Sequence, residues 1–287
     1  LTPFALLLVL ASAMLHATWN YLAKQAGGGG AAFVWLISVI GTVVALPLIA
    51  IIIITQHPVI SDAQVLFLLI SSLLHIGYYF LLNRGYKVGD LSLVYPLSRG
   101  TGPALATLGA VLVFGERPPF IAVIGTVLVT VGVFVLMGNP LKVRQSESFG
   151  AVACGLLTGL IIALYTLSDK EVVDMLMVPP LLLIVVSSFV RSVALAPHAR
   201  QHWDDVRDLW RKHRRETIGV AVLDPLSYTL FLTALAFSPV SYLAPTRQIS
   251  ILLGAALGTQ LLAEGNARRR LIAAFVMLVG LMALALH

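Results

Sequence analysis

Runs of about twenty apolar residues, separated by short polar breaks, recur along this chain, and a helix of that length is what a bilayer's ~30 Å hydrocarbon core requires. Ten such runs can be laid down, at 3–24, 31–54, 63–83, 91–114, 119–138, 149–168, 176–197, 217–237, 240–262 and 270–286. The breaks carry turn formers or clustered polar residues, as at Gln56-His57-Pro58 and in 27–30, 115–119, 139–147 and 264–270. With no water in the hydrocarbon to bond the backbone, such runs must close their hydrogen bonds internally, as helices. An all-α integral membrane protein of ten transmembrane helices is therefore predicted. Composition agrees: 59% of residues are hydrophobic and 11% charged, against about 25% charged in a soluble domain.

The net charge of +6 does not point to nucleic acid, because the basic residues fall in short loops rather than on one folded face. Loops after odd-numbered runs hold Lys24, Arg84, Lys87, Lys142, Arg144, Arg268, Arg269 and Arg270. The longer segment 198–216, also after an odd run, adds Arg200, Arg207, Arg211, Lys212, Arg214 and Arg215. Loops after even runs hold only Arg117 and Lys170. The positive-inside rule then places the odd loops in the cytoplasm and both termini outside the cell inner membrane. Trp203, Leu209 and Trp210 interleave with the cations of 198–216, a pattern suited to a helix on anionic headgroups, or to a solvated loop that anchors topology. The single cysteine, Cys154, builds neither a disulfide framework nor a thiolate metal site.

Aligned with itself, the chain repeats. Residues 80–116 match 228–264 at a constant offset of 148, which sets Arg99 on Arg247, Ser98 on Thr246 and Glu116 on Glu264. Ala106 and Ala110 fall on Gly254 and Gly258, a small-xxx-small face suited to close helix contact. Near the start of each half, Trp19-Asn20 and Lys24 match Tyr165-Thr166 and Lys170 at offset 146. Two repeats follow, 1–145 and 146–287, each of five helices within one membrane domain. An odd number of spans inverts the second repeat relative to the first, the arrangement from which secondary transporters build alternating access.

The stretches His16-Ala17-Thr18-Trp19-Asn20-Tyr21-Leu22-Ala23-Lys24 and Tyr95-Pro96-Leu97-Ser98-Arg99-Gly100, with the helix endings Phe114-Gly115-Glu116-Arg117-Pro118 and Leu262-Ala263-Glu264, resemble the EamA-type permeases of the drug/metabolite transporter superfamily. The likeness covers essentially the whole chain. It implies ten helices around a central cavity lined by spans 1, 3, 4, 6, 8 and 9, and substrates such as amino acids or other small metabolites. One departure is plain. The loop after span 2, which commonly carries basic residues in that family, has none here.

Polar groups inside a span are costly, about 2.5–3.5 kcal/mol for a central Arg or Asp, and so mark function. Arg99 and Arg247 lie about eight residues inside their runs, roughly 12 Å of helix. Pro96 and Pro103 flank Arg99 and Pro245 precedes Arg247, and each proline frees a carbonyl that needs a cavity or partner. A guanidinium there offers two parallel donors to a carboxylate, phosphonate or phosphate. Trp19, Tyr95, Tyr165 and Tyr228 are candidates for an aromatic wall, and Asn20, Ser98, Thr246 and Gln248 for cavity hydrogen bonds. Asp224, beside Pro225, together with His16 and His75, is a candidate for charge pairing or proton coupling. By depth, Asp224 is expected to pair with Arg99 and leave Arg247 for substrate. No Walker A, HExxH or nucleophile-elbow pattern is present, so neither cofactor, metal nor catalytic set is expected.

A secondary transporter of a small polar, anionic or zwitterionic metabolite, such as an amino acid or an organophosphorus compound, is the reading these features favour. Its partners are then the substrate, the bilayer and a coupling proton. The alternative is an intramembrane enzyme acting on a lipid headgroup with His16, His75 and Asp224 as acid and base groups. Topology is testable first. In a Cys154→Ala background, a cysteine introduced at position 205 should resist impermeant thiol reagents from outside intact cells and react after permeabilisation; labelling from outside would overturn the orientation.

Overall fold

The structure, a computed structural model, describes residues 2–26, 30–56, 60–88, 91–137, 149–253 and 267–285. In chain order these form α1 (Pro3–Gln25), α2 (Ala31–Gln56), α3 (Asp62–Val88), α4 (Leu91–Val113), α5 (Phe120–Met137) and α6 (Phe149–Lys170). A π turn (Glu171–Met175) follows, then α7 (Pro180–Gln201), α8 (Trp203–Leu235), α9 (Val240–Thr246) and α10 (Ala267–Ala285). Among the described residues α1, α2, α3, α6, α7 and α8 are long and apolar enough to cross a membrane, and α5 and α10 hold shorter apolar helices. The chain is a membrane protein whose regular structure, among the described residues, is all helical. Its large apolar side chains point outward, Leu7 at 63% exposed, Leu112 at 75% and Phe120 at 79%, as a lipid-facing surface requires and a soluble one avoids.

Large side chains such as Leu183, Phe231 and Leu243 fill the main interior cluster, and small residues bring particular helix pairs closest, because lipid gives no hydrophobic drive for one helix to leave it for another. α5 and α10 cross at Gly125 and Gly280: a Cβ on either would lie 2.7 Å from the other's carbonyl oxygen. α1 and α8 are clasped reciprocally, Ser12 Oγ donating to the Ser227 carbonyl at 2.7 Å and Ser227 Oγ to the Ser12 carbonyl at 2.9 Å.

Three departures from the sequence expectations have local causes. The segment 198–216 is not a loop: α7 extends to Gln201, and α8 begins at Trp203 and runs through a kink at His213 (φ −132°, ψ 32°). Leu209 packs against the cluster around Phe33 and Ile37 and Trp203 sits edge-on to Trp35 at 6.0 Å, while Trp203 and Trp210 both remain exposed. Lys170, expected in a loop, is buried and donates to the carbonyls of Leu235 and Ser238 while pairing with Asp174 at 2.7 Å. Helical structure passes beyond Lys170 into the π turn, which carries it under the end of α8. The ninth run starts as a helix of seven residues and breaks at Arg247 and Gln248 before resuming at 249–253. Pro245 has no N–H to give, and the following bonds tighten to i→i−3, as in Gln248 N to the Pro245 carbonyl at 3.0 Å.

At the end of α4, Gly115 takes φ +64° and the Glu116 N–H reaches back to the Ala110 carbonyl at 3.3 Å, the closing turn in which a left-handed glycine stops a helix. That turn aims Glu116 across the molecule. Its two carboxylate oxygens accept from the backbone N–H groups of Val240 and Ser241 at 2.8 and 3.0 Å. Glu264, its partner in the repeat, together with Gly254 and Gly258, lies outside the described residues.

The glycine crossing generates a stability prediction. Gly280→Val forces α5 and α10 apart, and overpacking of this kind costs about 1–3 kcal/mol. Thermal unfolding of the purified protein should drop for Gly280→Val and stay unchanged for Gly30→Val, a position with open space around it.

Candidate functional site

Each helix at the centre of the bundle turns one polar face inward, and the spacing within each face is helical. His16 and Trp19 on α1, His75 with Tyr78 and Tyr79 on α3, Ser187 and Ser188 with Arg191 on α7, and Asp224 with Tyr228 on α8 stand three or four residues apart, and so share a side. Together with Arg99 of α4, Tyr165 of α6 and Arg247 at the break after α9, they line one cavity. It holds about 70 Å³, several times the ~10–15 Å³ that one water requires. Gln248 lines a smaller recess continuing between Arg99, Arg247 and Phe231.

Arg247 is held by rings rather than by a carboxylate. Its guanidinium carbon lies 4.8 Å from the Tyr228 ring centre and 4.5 Å from that of Phe231, within the range of cation–π attraction. Nη2 donates to His16 Nδ1 at 3.5 Å, so His16 carries its ring proton on Nε2 when neutral. Arg247 Nε is buried with no hydrogen-bond partner among the described residues, and so is Trp19 Nε1. Arg99 donates to the Tyr78 hydroxyl at 3.0 Å. Arg191 donates through Nε to Ser38 Oγ at 2.7 Å and stacks at 4.8 Å on Tyr79.

The expected ion pair between Asp224 and Arg99 is not formed. Asp224 makes no hydrogen bond or ion pair among the described residues, and its strongest electrostatic neighbour is Arg191, ahead of Arg247 and Arg99. Asp224 and Arg99 share a depth, but depth does not fix which helix faces which: α8 packs on α1, α2 and α7, and α4 on α6 and α5. Asn20 is not brought to the cavity either, because its side chain donates to the His16 carbonyl one turn back at 2.6 Å. Ser98 is fully buried outside the lining, and Thr246 bonds its own helix at Tyr242. The Tyr95 side chain lies outside the described residues.

Two charged groups at the site were missed. Arg191 sits well inside an apolar run, so the criterion that singled out Arg99 would have found it. Asp169 is fully buried behind Tyr228, accepting from the Ser71 hydroxyl on Oδ1 and from the Tyr228 hydroxyl on Oδ2 at 2.5 Å. Next to Lys170 at the end of an apolar run, it read as the membrane boundary. Counting Arg99, Arg191 and Arg247 against Asp224 and Asp169, guanidiniums exceed carboxylates in and around the cavity.

That excess has a chemical signature. With Cys154→Ala and Ser188→Cys, a cavity thiol should react severalfold faster with an anionic methanethiosulfonate than with a cationic one, while Ser12→Cys, closed between α1 and α8, should react with neither.

Residues 3–138 match the family model of the EamA-like transporter family. No curated protein matches the chain at a significant level. Among solved structures, 28 chains match; one, described as the crystal structure of a protein, superposes with a TM-score of 0.75 over 98% of this chain and 98% of its own, at 18% identity. At that identity the likeness speaks for the fold alone. Through residues 3–138, a little under half of its length, the chain is similar to the EamA-like transporter family.

Proposed function

We propose that the protein is a secondary transporter that carries a small anionic or zwitterionic metabolite, such as an amino acid or organophosphorus compound, across the cell inner membrane by alternating access. The observation that carries this reading is Arg247: a guanidinium at a helix break, inside a cavity, stacked on two rings, with no carboxylate partner among the described residues and Nε open. A buried charge left without its counter-ion is expensive, and a substrate carboxylate or phosphonate fits the vacancy with two parallel hydrogen bonds. Trp19 Nε1 adds a further open donor, Arg99 and Arg191 add positive field, and Tyr165 and Tyr228 wall the space. Asp224 supplies the acceptor that an ammonium group of a zwitterion needs. The similarity of residues 3–138 to the EamA-like transporter family favours transport over the headgroup enzyme.

Ten spans in two inverted five-helix repeats, 1–145 and 146–287, are part of the proposal. Helix pairing supports them: the contact of α1 with α8 is echoed by α6 with α3, that of α2 with α8 by α7 with α3, and α2 with α7 and α5 with α10 pair as repeat partners. The connections also sort by parity. Trp35 meets Trp203 between two odd loops, whereas Phe4 meets Phe237, Gln64 reaches the Leu176 carbonyl, and Glu116 binds Val240 at the opposite end. With the basic residues of the odd loops, this supports both termini outside.

Counterflow into proteoliposomes tests the reading, with inorganic phosphate, serine and choline as anionic, zwitterionic and cationic probes. Phosphate or serine should exchange and choline should not. Arg247→Gln should remain folded and raise the half-saturating concentration about tenfold or more, as loss of a charged hydrogen bond of about 1.5–3 kcal/mol implies. Choline exchange alone, or unchanged affinity in Arg247→Gln, would overturn it.

A further inference from the structure

Behind the Tyr228 ring, Asp169, outside the cavity lining, faces His75, which belongs to it, and the hydrogen bonds of both are already allotted. His75 Nδ1 lies 2.9 Å from the Ser71 carbonyl oxygen; a carbonyl only accepts, so Nδ1 carries a proton there. The other ring nitrogen, Nε2, lies 3.9 Å from Asp169 Oδ2. A neutral His75 would therefore turn a lone pair toward an ionised carboxylate, and both groups would be acceptors. One proton between Nε2 and Oδ2 resolves the conflict, whichever atom holds it, and an approach of about 1 Å brings the pair into hydrogen-bond range.

We propose that Asp169 and His75 form the binding site for the proton that drives transport, and that Tyr228 links its occupancy to the substrate site at Arg247. The proposal rests on the transporter reading above and adds the coupling ion and its place. When Asp169 is ionised, its oxygens accept from Ser71 and from Tyr228. A proton arriving on Oδ2 from one side of the membrane turns that acceptor into a donor, so the Tyr228 hydroxyl must release its bond or reverse it. The ring whose tether changes in this way is the one on which Arg247 stacks. Release of the proton to the other side restores the acceptor, so one proton crosses per cycle and no bond other than O–H or N–H changes.

The groups facing the pair are few. Ser71 on α3 bonds both partners, Tyr165 on α6 stacks on His75 at 4.4 Å, Arg191 on α7 and Asp224 on α8 act on His75, and Tyr228 on α8 and Arg247 after α9 act on Asp169. The neighbouring Lys170 is engaged elsewhere, with Asp174 and the end of α8. Ionisable groups buried at membrane depth, paired and hydrogen-bonded, are the usual elements of proton relays, and such a pair titrates as a unit.

The proton itself is the probe. In pH-difference infrared spectra of the lipid-reconstituted protein between about pH 5 and about pH 8, wild type and Asp224→Asn should show a protonated-carboxyl stretch that Asp169→Asn lacks, and His75→Gln should move its midpoint. A band that persists in Asp169→Asn, or none in wild type, overturns the proposal. Should Asp169→Asn fail to assemble, as judged by gel filtration, an unmoved midpoint in His75→Gln overturns it instead. In proteoliposomes, a pH gradient should accumulate labelled phosphate or serine in wild type. Asp169→Asn should lose that accumulation but keep counterflow at uniform pH. Wild-type counterflow without gradient-driven accumulation sinks the coupling alone. Absence of counterflow in wild type sinks the transport reading, and the infrared result then stands apart from it.

Discussion

The stack of Arg247 on Tyr228 and Phe231, continued through the Tyr228 hydroxyl to Asp169, is the contact around which the rest of the interior is arranged. A guanidinium taken into an apolar bundle has to be compensated, and the helices have met that demand with aromatic faces and dipoles more than with counter-charges. α8 supplies both rings, which fixes its rotation. α6 supplies Asp169, which fixes how far along α8 it sits. α3 then brings Ser71 and His75 to the carboxylate, and Tyr165 stacks on His75 from the far side. Three helices are thus positioned by one buried cation and the groups that tolerate it.

Much of this arrangement is legible in one dimension. Hydropathy locates the helices because the bilayer imposes their length, and the start and end of α1, α2, α4 and α5 fall within two residues of the apolar runs. Intramembrane polarity finds His16, Trp19, His75, Arg99, Tyr165, Asp224, Tyr228 and Arg247, which the structure gathers around one cavity. Depth along a helix does not give direction around it, so the expected pairing of Asp224 with Arg99 is not formed. Asp169 escaped for another reason: a carboxylate followed by a lysine looks like the water boundary unless one knows that the π turn carries the helix five residues further.

The two proline-bearing segments that the sequence offset aligns show how far local chemistry underdetermines shape. α4 passes Pro96 and Pro103 as one described helix of 23 residues, whereas its counterpart breaks directly after Pro245. Both sequences contain the means to break. What differs is the neighbourhood: Gly102 presses on α6 with a Cβ position 2.7 Å from Ile162, contact available only to a straight helix, while Arg247 has rings and a cavity to fill and turns toward them. Arg99 and Arg247, aligned by the sequence offset, consequently differ in their surroundings: Arg99 donates to the Tyr78 hydroxyl, while Arg247 stacks between the Tyr228 and Phe231 rings.

Glu116 gives the broken helix a second owner. Its carboxylate closes the first turn of α9, yet it is borne by the glycine-ended terminus of α4, a different half of the chain. A displacement of α4 along its axis by more than about 1 Å would strip two amide groups of their acceptor, so α9 must travel with α4 or be left exposed. The short helix that leads to Arg247 therefore behaves less like a hinge than like the follower on a cam, reading the position of the first half and handing it to the guanidinium.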